Sequence, residues 1–246
     1  SSLTEVNIPS SLAVIPGCAF QYCSGLTEVT IPDTVESIRG SAFGNCTGLK
    51  KLTIAANTAS FSNGFAGSKL ETIVYTPGTT GVIADRALNP NASYETYTSY
   101  YAPELDTRET LKQIIFEEGI THISDYLCSN PGYNDVSSAN LESITLPSTL
   151  TDLGTGAFEG CTVLKRVELP DSLKEIGMWA FYGCSALESI VIPFTGSNAD
   201  AVSFDSHFGY IFGYTVNDEY SVEHHYYDAV NNTYYTYDIP ASPTQR

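Results

Sequence analysis

Leu141–Val163 reads LESITLPSTLTDLGTGAFEGCTV, and Leu164–Ala186 follows at once as LKRVELPDSLKEIGMWAFYGCSA. The two stretches align without a gap at a period of 23 residues. The same period joins Leu3–Gly25, LTEVNIPSSLAVIPGCAFQYCSG, to Leu26–Gly48, LTEVTIPDTVESIRGSAFGNCTG. Weaker copies open at Leu49, Leu70, Leu111 and Leu187, which makes eight units. Fixed-period self-similarity is the signature of a stacked repeat, in which one unit buries its apolar side only against the next.

Each unit has two halves. The first is L-x-x-[IVL]-x-[IL], often followed by Pro, as in Leu26, Val29, Ile31 and Pro32. Its alternation predicts a strand with one buried face. Proline has no N–H and ends the ladder. The second half is [IL]-x-x-x-A-F-x-x-C, as in Ile176, Ala180, Phe181 and Cys184. This spacing predicts a short helical turn with one face inward. The expected fold is an α/β-type repeat solenoid with one short parallel strand per unit and short helical turns on the opposite side. It forms a single domain over 1–246 and is irregular at its C-terminus.

The string I-x-I-P-x-x-[VL]-x-x-I-G-x-x-A-F-x-x-C resembles the BspA-like leucine-rich-repeat family of bacterial surface proteins. The period also lies within the ~20–29 residues of leucine-rich repeats. The likeness is strong in units one, two, six and seven and partial in the others. It departs from the more familiar leucine-rich pattern, which carries Asn where these units carry Pro. The resemblance implies a right-handed superhelix and a secreted or wall-attached bacterial protein that adheres to host or microbial surfaces. It names no ligand, because a fold does not bring a site with it.

Regular units cover 1–88 and 111–193, with insertions at 89–110 and 129–140. The first insertion, NPNASYETYTSYYAPELDTRET, carries Tyr94, Tyr97, Tyr100 and Tyr101. The last unit, 187–246, is a variant. Its SHFGYIFG stretch replaces the A-F-x-x-C turn, resembles a variant unit of the same family, and suits a cap. Twelve of the 17 tyrosines fall in the two irregular segments, where the rings either cover the sheet in place of the missing turns, the preferred reading for the C-terminal cluster, or form a recognition surface. With a full repeat beginning almost at Ser1, the chain reads as part of a longer array whose signal and anchor lie outside it.

Composition and motifs narrow the function. Eleven Lys and Arg against 28 Asp and Glu leave a formal charge of −17, which opposes a phosphate backbone and argues against a nucleic-acid partner. No apolar run approaches the ~20 residues of a membrane span. There is no G-x-S-x-G, H-E-x-x-H, P-loop or dinucleotide fingerprint, so neither an enzyme nor a cofactor is expected. His224 and His225 with Glu223 and Asp228 have ligand chemistry, but adjacent residues of a strand point to opposite faces, so no metal site is expected. Asp200 with Asp205, and Asp218 with Glu219, read as solvated acidic surface in preference to a calcium site.

Cys23, Cys46, Cys161 and Cys184 share one slot, which stacks Cys23 beside Cys46 and Cys161 beside Cys184. That separation admits a disulfide. An inward ladder of packed thiols is the preferred reading, since repeat slots are filled for packing.

On the solvent face of the sheet the strand residues are mostly polar: Glu28/Thr30, Lys51/Thr53, Ser143/Thr145 and Arg166/Glu168. Val74 and Ile115, on adjacent units, are branched and apolar, and are expected to be exposed there. The candidate ligand-binding set is therefore Val74, Ile115, Tyr94, Tyr97, Tyr100 and Tyr101. The expected function is an extracellular, non-enzymatic binding or adhesion module for a protein or glycoprotein. A spacer without its own ligand and a carbohydrate-binding module are the alternatives.

Overall fold

The computed structural model describes residues 2–58, 64–83, 110–128, 140–202 and 204–213, and the backbone of 221–228 and 233–240. In chain order the strands are β1 (Val14–Ile15), β2 (Glu28–Ile31), β3 (Ser37–Ile38), β4 (Lys51–Ala55), β5 (Thr72–Thr76), β6 (Val82–Ile83) and β7 (Gln113–Phe116). They continue as β8 (His122–Ile123), β9 (Ser143–Thr145), β10 (Asp152–Leu153), β11 (Arg166–Glu168), β12 (Glu175–Ile176) and β13 (Ser189–Val191). Helix α1 (Phe208–Phe212) follows, then the antiparallel hairpin of β14 (Ser221–Asp228) and β15 (Thr233–Pro240).

From unit two on, the first halves pair in parallel as two sheets, in the order β2-β4-β5-β7-β9 and β11-β13. The register joins equivalent positions: Val29, Leu52, Ile73, Ile114 and Ile144 form one inward row. The opening leucines, Leu26, Leu49, Leu70, Leu111, Leu141 and Leu164, are almost fully buried. Burying a side chain of this size contributes about 1.5–3 kcal/mol, and only the stack supplies the partner surface.

The structure corrects the expected unit in two ways. A typical unit holds two strands. The second is the dipeptide that opens the other half, and it forms parallel ladders of its own, β1-β3 and β6-β8-β10-β12. The helical turn is also absent from the described regular units. In unit two, Ala42 N–H donates to Arg39 O (3.1 Å) and Cys46 N–H donates to Phe43 O (3.3 Å), closing two β-turns. Ser41 and Asn45 occupy the third positions with φ of 56° each, the left-handed geometry of a type II turn. Left-handed residues four apart interrupt any right-handed helix. The slots recur two before and two after the phenylalanine, at Gly156 and Gly160 and at Trp179 and Gly183. Successive turns are joined to each other: Phe20 N–H donates to Ala42 O (2.7 Å) and Phe158 N–H to Ala180 O (2.8 Å).

A column of rings runs through the core. Phe20, Phe43 and Phe65 stack at 5.0 Å intervals. Further along, Tyr75 stacks on Phe116 (5.6 Å), Phe116 meets Phe158 edge-on (6.3 Å), and Phe158 stacks on Phe181 (5.6 Å). Tyr75 and Phe116 come from strand ends, not turns. In unit five the turn slots hold Leu127 and Cys128 where unit six holds Ala157 and Phe158; Cys128 N–H donates to Ala157 O in the way that Phe158 N–H donates to Ala180 O. The ring missing from the turn is supplied by Phe116, in register with Tyr75 and Ile54.

Helix α1 continues the column. Trp179 N–H donates to Tyr210 O (2.7 Å) and Phe181 N–H to Ile211 O (3.1 Å), while Phe212 lies against Phe181 (6.1 Å). The aromatic variant segment therefore takes the place of the next turn.

Candidate functional site

Strand register sets the solvent face of the five-stranded sheet. Its distal row is Thr30, Thr53, Val74, Ile115 and Thr145, each paired with the next. Val74 and Ile115 are direct cross-strand partners on β5 and β7. Exposure falls toward the middle of the row: Thr30 and Thr145 are exposed, Thr53 and Ile115 half-buried, and Val74 retains 7% of its surface. The expectation that both branched residues are exposed is corrected here: Val74 is buried and Ile115 is partly covered. Val74 sits on the central strand, with Thr53 on one flank and Ile115 on the other, and directly opposed side chains cover each other at ~4.5–5.5 Å. The proximal row, Lys51, Thr72, Gln113 and Ser143, is polar. Tyr94, Tyr97, Tyr100 and Tyr101 lie outside the described residues. The described chain returns from that insertion at Thr110, whose hydroxyl donates to Leu70 O (2.7 Å), one residue before the core leucine of the β7 unit.

The model of the BspA type leucine-rich repeat region matches residues 1–98 and 132–211, in six copies. The chain belongs to the BspA-type leucine-rich repeat family. The match leaves out 99–131, which includes the unit where Leu127 and Cys128 displace the Ala-Phe pair. Among solved structures, a T. pallidum leucine-rich repeat protein is similar at 20% identity, over 68% of this chain and 59% of its own, with a TM-score of 0.40. A leucine-rich cell surface protein of Faecalibacterium prausnitzii A2-165 is similar at 24% identity, over 87% of this chain and 46% of its own, with a TM-score of 0.35. The pneumococcal vaccine antigen PcpA is similar at 17% identity, over 74% of this chain and 68% of its own, with a TM-score of 0.30. This chain thus spans only 59% and 46% of the first two. A comparison with curated proteins finds no match.

In this BspA-type array a further row lies one residue after each opening leucine, and the strand pattern does not reveal it. It reads Thr4, Thr27, Lys50, Glu71, Lys112, Glu142, Lys165 and Glu188, charged from the third unit on. The backbone sets these side by side: Glu71 N–H donates to Lys50 O, Lys112 N–H to Glu71 O, Glu142 N–H to Lys112 O, and Glu188 N–H to Lys165 O, at 2.8–2.9 Å. Lys50 Nζ meets Glu71 Oε1 at 2.5 Å and Lys165 Nζ lies 3.6 Å from Glu188 Oε1. The hydrogen bond from Lys50 and then its charge hold the Glu71 carboxyl below its ordinary range, with Lys112 adding to the effect. Reading position two of every unit as a column finds this row in the sequence.

The turn side offers two exposed aromatics, Tyr22 and Trp179. Trp179 lies 6.0 Å from Tyr182 with the rings tilted by 38°, so this pair is not coplanar. All six cysteines are free thiols. Cys46 Sγ donates to Phe20 O (3.1 Å) and Cys184 Sγ to Phe158 O (3.2 Å), the packed ladder expected of the slot. Cys161 lies between Cys128 and Cys184; hydrogen bonding with those two thiols, then burial, pushes its pKa well up, and burial likewise raises that of Cys46. High pKa values and low exposure make these thiols poor nucleophiles.

Among the described residues no group of His, Cys, Asp and Glu could hold a metal ion. Asp205 instead accepts from the Ser197 hydroxyl at 2.6 Å, and Asp200 N–H donates to the Asn198 side chain at 2.9 Å. His224, His225, Glu223 and Asp228 fall on β14, described in backbone only, and Asp218 and Glu219 lie outside the described residues. No helix among the described residues is long and apolar enough to cross a membrane.

Proposed function

We propose that this chain is a non-enzymatic recognition module of a bacterial surface protein, and that it binds an extracellular protein or glycoprotein across the centre of the β5–β7 face. The observation that carries the reading is Ile115, the partly exposed apolar residue of an otherwise polar outward row, with Val74 buried beside it, on the strands that flank the first insertion. An apolar centre with a polar rim is the anatomy of a protein-binding patch. Tyr94, Tyr97, Tyr100 and Tyr101 would add ring area from the insertion between those strands. The F. prausnitzii relative is described as a cell surface protein, which supports the proposed location. Affinity per module would be modest, with avidity from a longer array.

The test is binding of labelled protein to a panel of matrix proteins, mucins and glycans. Ile115→Glu places a charge in the partly exposed half of the pair, and a second variant replaces the four insertion tyrosines with Ala. Saturable binding that weakens in both variants is the expected result. Binding equal to that of an unrelated acidic protein would leave a spacer. Binding that both variants retain would move the site elsewhere, and the exposed Trp179 beside Tyr182 is the observation that favours a glycan-stacking site in that event.

A further inference from the structure

The alternating row along the strand-start edge has a property that a mixed charged surface lacks. Only 16% of residues are charged, yet six consecutive rungs of this column are, and the sign changes at every step. The rungs are ~4.8 Å apart from Lys50 to Glu142 and from Lys165 to Glu188, where backbone bonds join them, and the unit that begins at Leu164 follows the one that begins at Leu141 in the stack. Lys50, Lys112, Glu142, Lys165 and Glu188 are exposed and Glu71 is half-buried. Within the chain each charge already has opposite neighbours, but such exposed pairs contribute little to stability. Alternation does more between chains. An even-numbered alternating row turned end for end meets itself with opposite charge at every rung: Lys50 faces Glu188, Glu71 faces Lys165, and Lys112 faces Glu142, each twice. Aligned in the same direction without a shift, it meets like charges throughout.

We infer that this edge is a contact surface for a second copy of the chain, laid antiparallel about a two-fold axis between the Lys112 and Glu142 rungs. A two-fold interface is self-complementary by construction and closes on itself. The neighbouring outward row agrees with the same axis: Lys51 falls opposite Ser189, Thr72 opposite Arg166, and Gln113 opposite Ser143, with no like charges opposed. The footprint is narrow and well below the ~800 Å² per partner of a standard interface, so the association is weak and its main product is orientation. Both copies carry −17, so a pairing edge without net charge is where two such chains can approach.

The test reverses the row. A variant with K50E, E71K, K112E, E142K, K165E and E188K keeps the net charge, the alternation and every intrachain pair type. Sedimentation equilibrium reads self-association. Wild type and the reversed chain are each expected to self-associate to the same extent, because reversal keeps every antiparallel rung opposite in charge. Should the reversed chain fail to fold by circular dichroism, the central rungs serve alone: K112E opposes two pairs of carboxylates and abolishes self-association, and K112E with E142K restores it. Monomers at all concentrations for wild type, a folded reversed chain that stays monomeric, or K112E association unchanged would each overturn the inference.

Discussion

Cys128→Phe installs the residue that the repeat calls for, and we expect it to destabilise the protein. Three core positions of unit five, Phe116, Leu127 and Cys128, correspond to Leu146, Ala157 and Phe158 of unit six. Both sets contain one Phe and one Leu; the third member is Cys in one and Ala in the other. Unit five therefore holds nearly the same side-chain volume, redistributed so that the ring enters from the strand end. Phe116 fills its place between Tyr75 at 5.6 Å and Phe158 at 6.3 Å, and all three unit-five residues are buried at 2% exposure or less. A second ring at Cys128 has to displace atoms packed at crystal-like density, at a cost of about 1–3 kcal/mol. It also removes the thiol bonded to Cys161.

The compensating variant is Phe116→Leu, Leu127→Ala and Cys128→Phe together. It rewrites unit five as unit six and exchanges only Cys for Ala in total volume, so it should lie within about 1.5 kcal/mol of wild type. The assay is urea unfolding, followed by far-ultraviolet circular dichroism for the whole array and by fluorescence of the single tryptophan, Trp179, in unit seven. Coincident transitions would support a two-state treatment. With a slope near 2 kcal/mol per molar urea, the single substitution lowers the midpoint by roughly 0.5–1.5 M and the triple recovers most of it. A single variant as stable as wild type would show that the site has room for a second ring. A triple variant no better than the single would show that the three slots are not coupled. Either result refutes compensation between strand end and turn.

Two further predictions rest on the same packing. A Cβ on Gly177 would sit 2.2 Å from Thr155 N and 2.4 Å from Gly154 C, backbone atoms of the preceding unit, so Gly177→Ala should cost about 1–3 kcal/mol in the same urea assay; an unchanged midpoint would mean that the units separate at little cost. Stability should also fall in alkali. Burial raises the pKa of the Tyr75 hydroxyl well above its ordinary value, and that of Cys161 is raised as well, so both keep their protons in the folded state while the unfolded chain releases them from about pH 8.5 for the thiol and about pH 10 for the phenol. Their contribution is fully present below about pH 8.5 and declines as pH rises toward the folded values, by up to ~1.4 kcal/mol per pH unit for each group titrating. Tyr75→Phe, which deletes a buried hydroxyl without a partner, should remove the phenol's share of that decline; identical midpoints at about pH 7 and pH 10.5 would contradict it.

The scaffold was legible because it is written many times. Leu141 and Leu164, 23 residues apart, say the same thing about two units, and a third copy corrects any misreading of either. What escaped was smaller than the period or lay across it. The second strand is two residues long, too short for alternation to register. The Ile-to-Ala spacing suggests a helical turn, whereas Gly156 and Gly160, flanking Ala157 and Phe158, mark two left-handed positions. Alternation places Val74 on its proper face but overstates its exposure, since it reports direction and not burial. The lysine–glutamate row runs between units, one residue before each strand, where strand alternation does not reach.

A recognition surface differs from a scaffold in this respect. The inward positions are constrained once per unit and converge on the same few residues. The outward positions are free to differ, and a site is the place where they do: two apolar residues on adjacent strands, one insertion between them, one column that alternates in sign. Such a feature is encoded once, so no second copy exists to check it. Departure from the repeat is therefore the signal of function in an array of this kind, and it has to be weighed by what its neighbours leave uncovered.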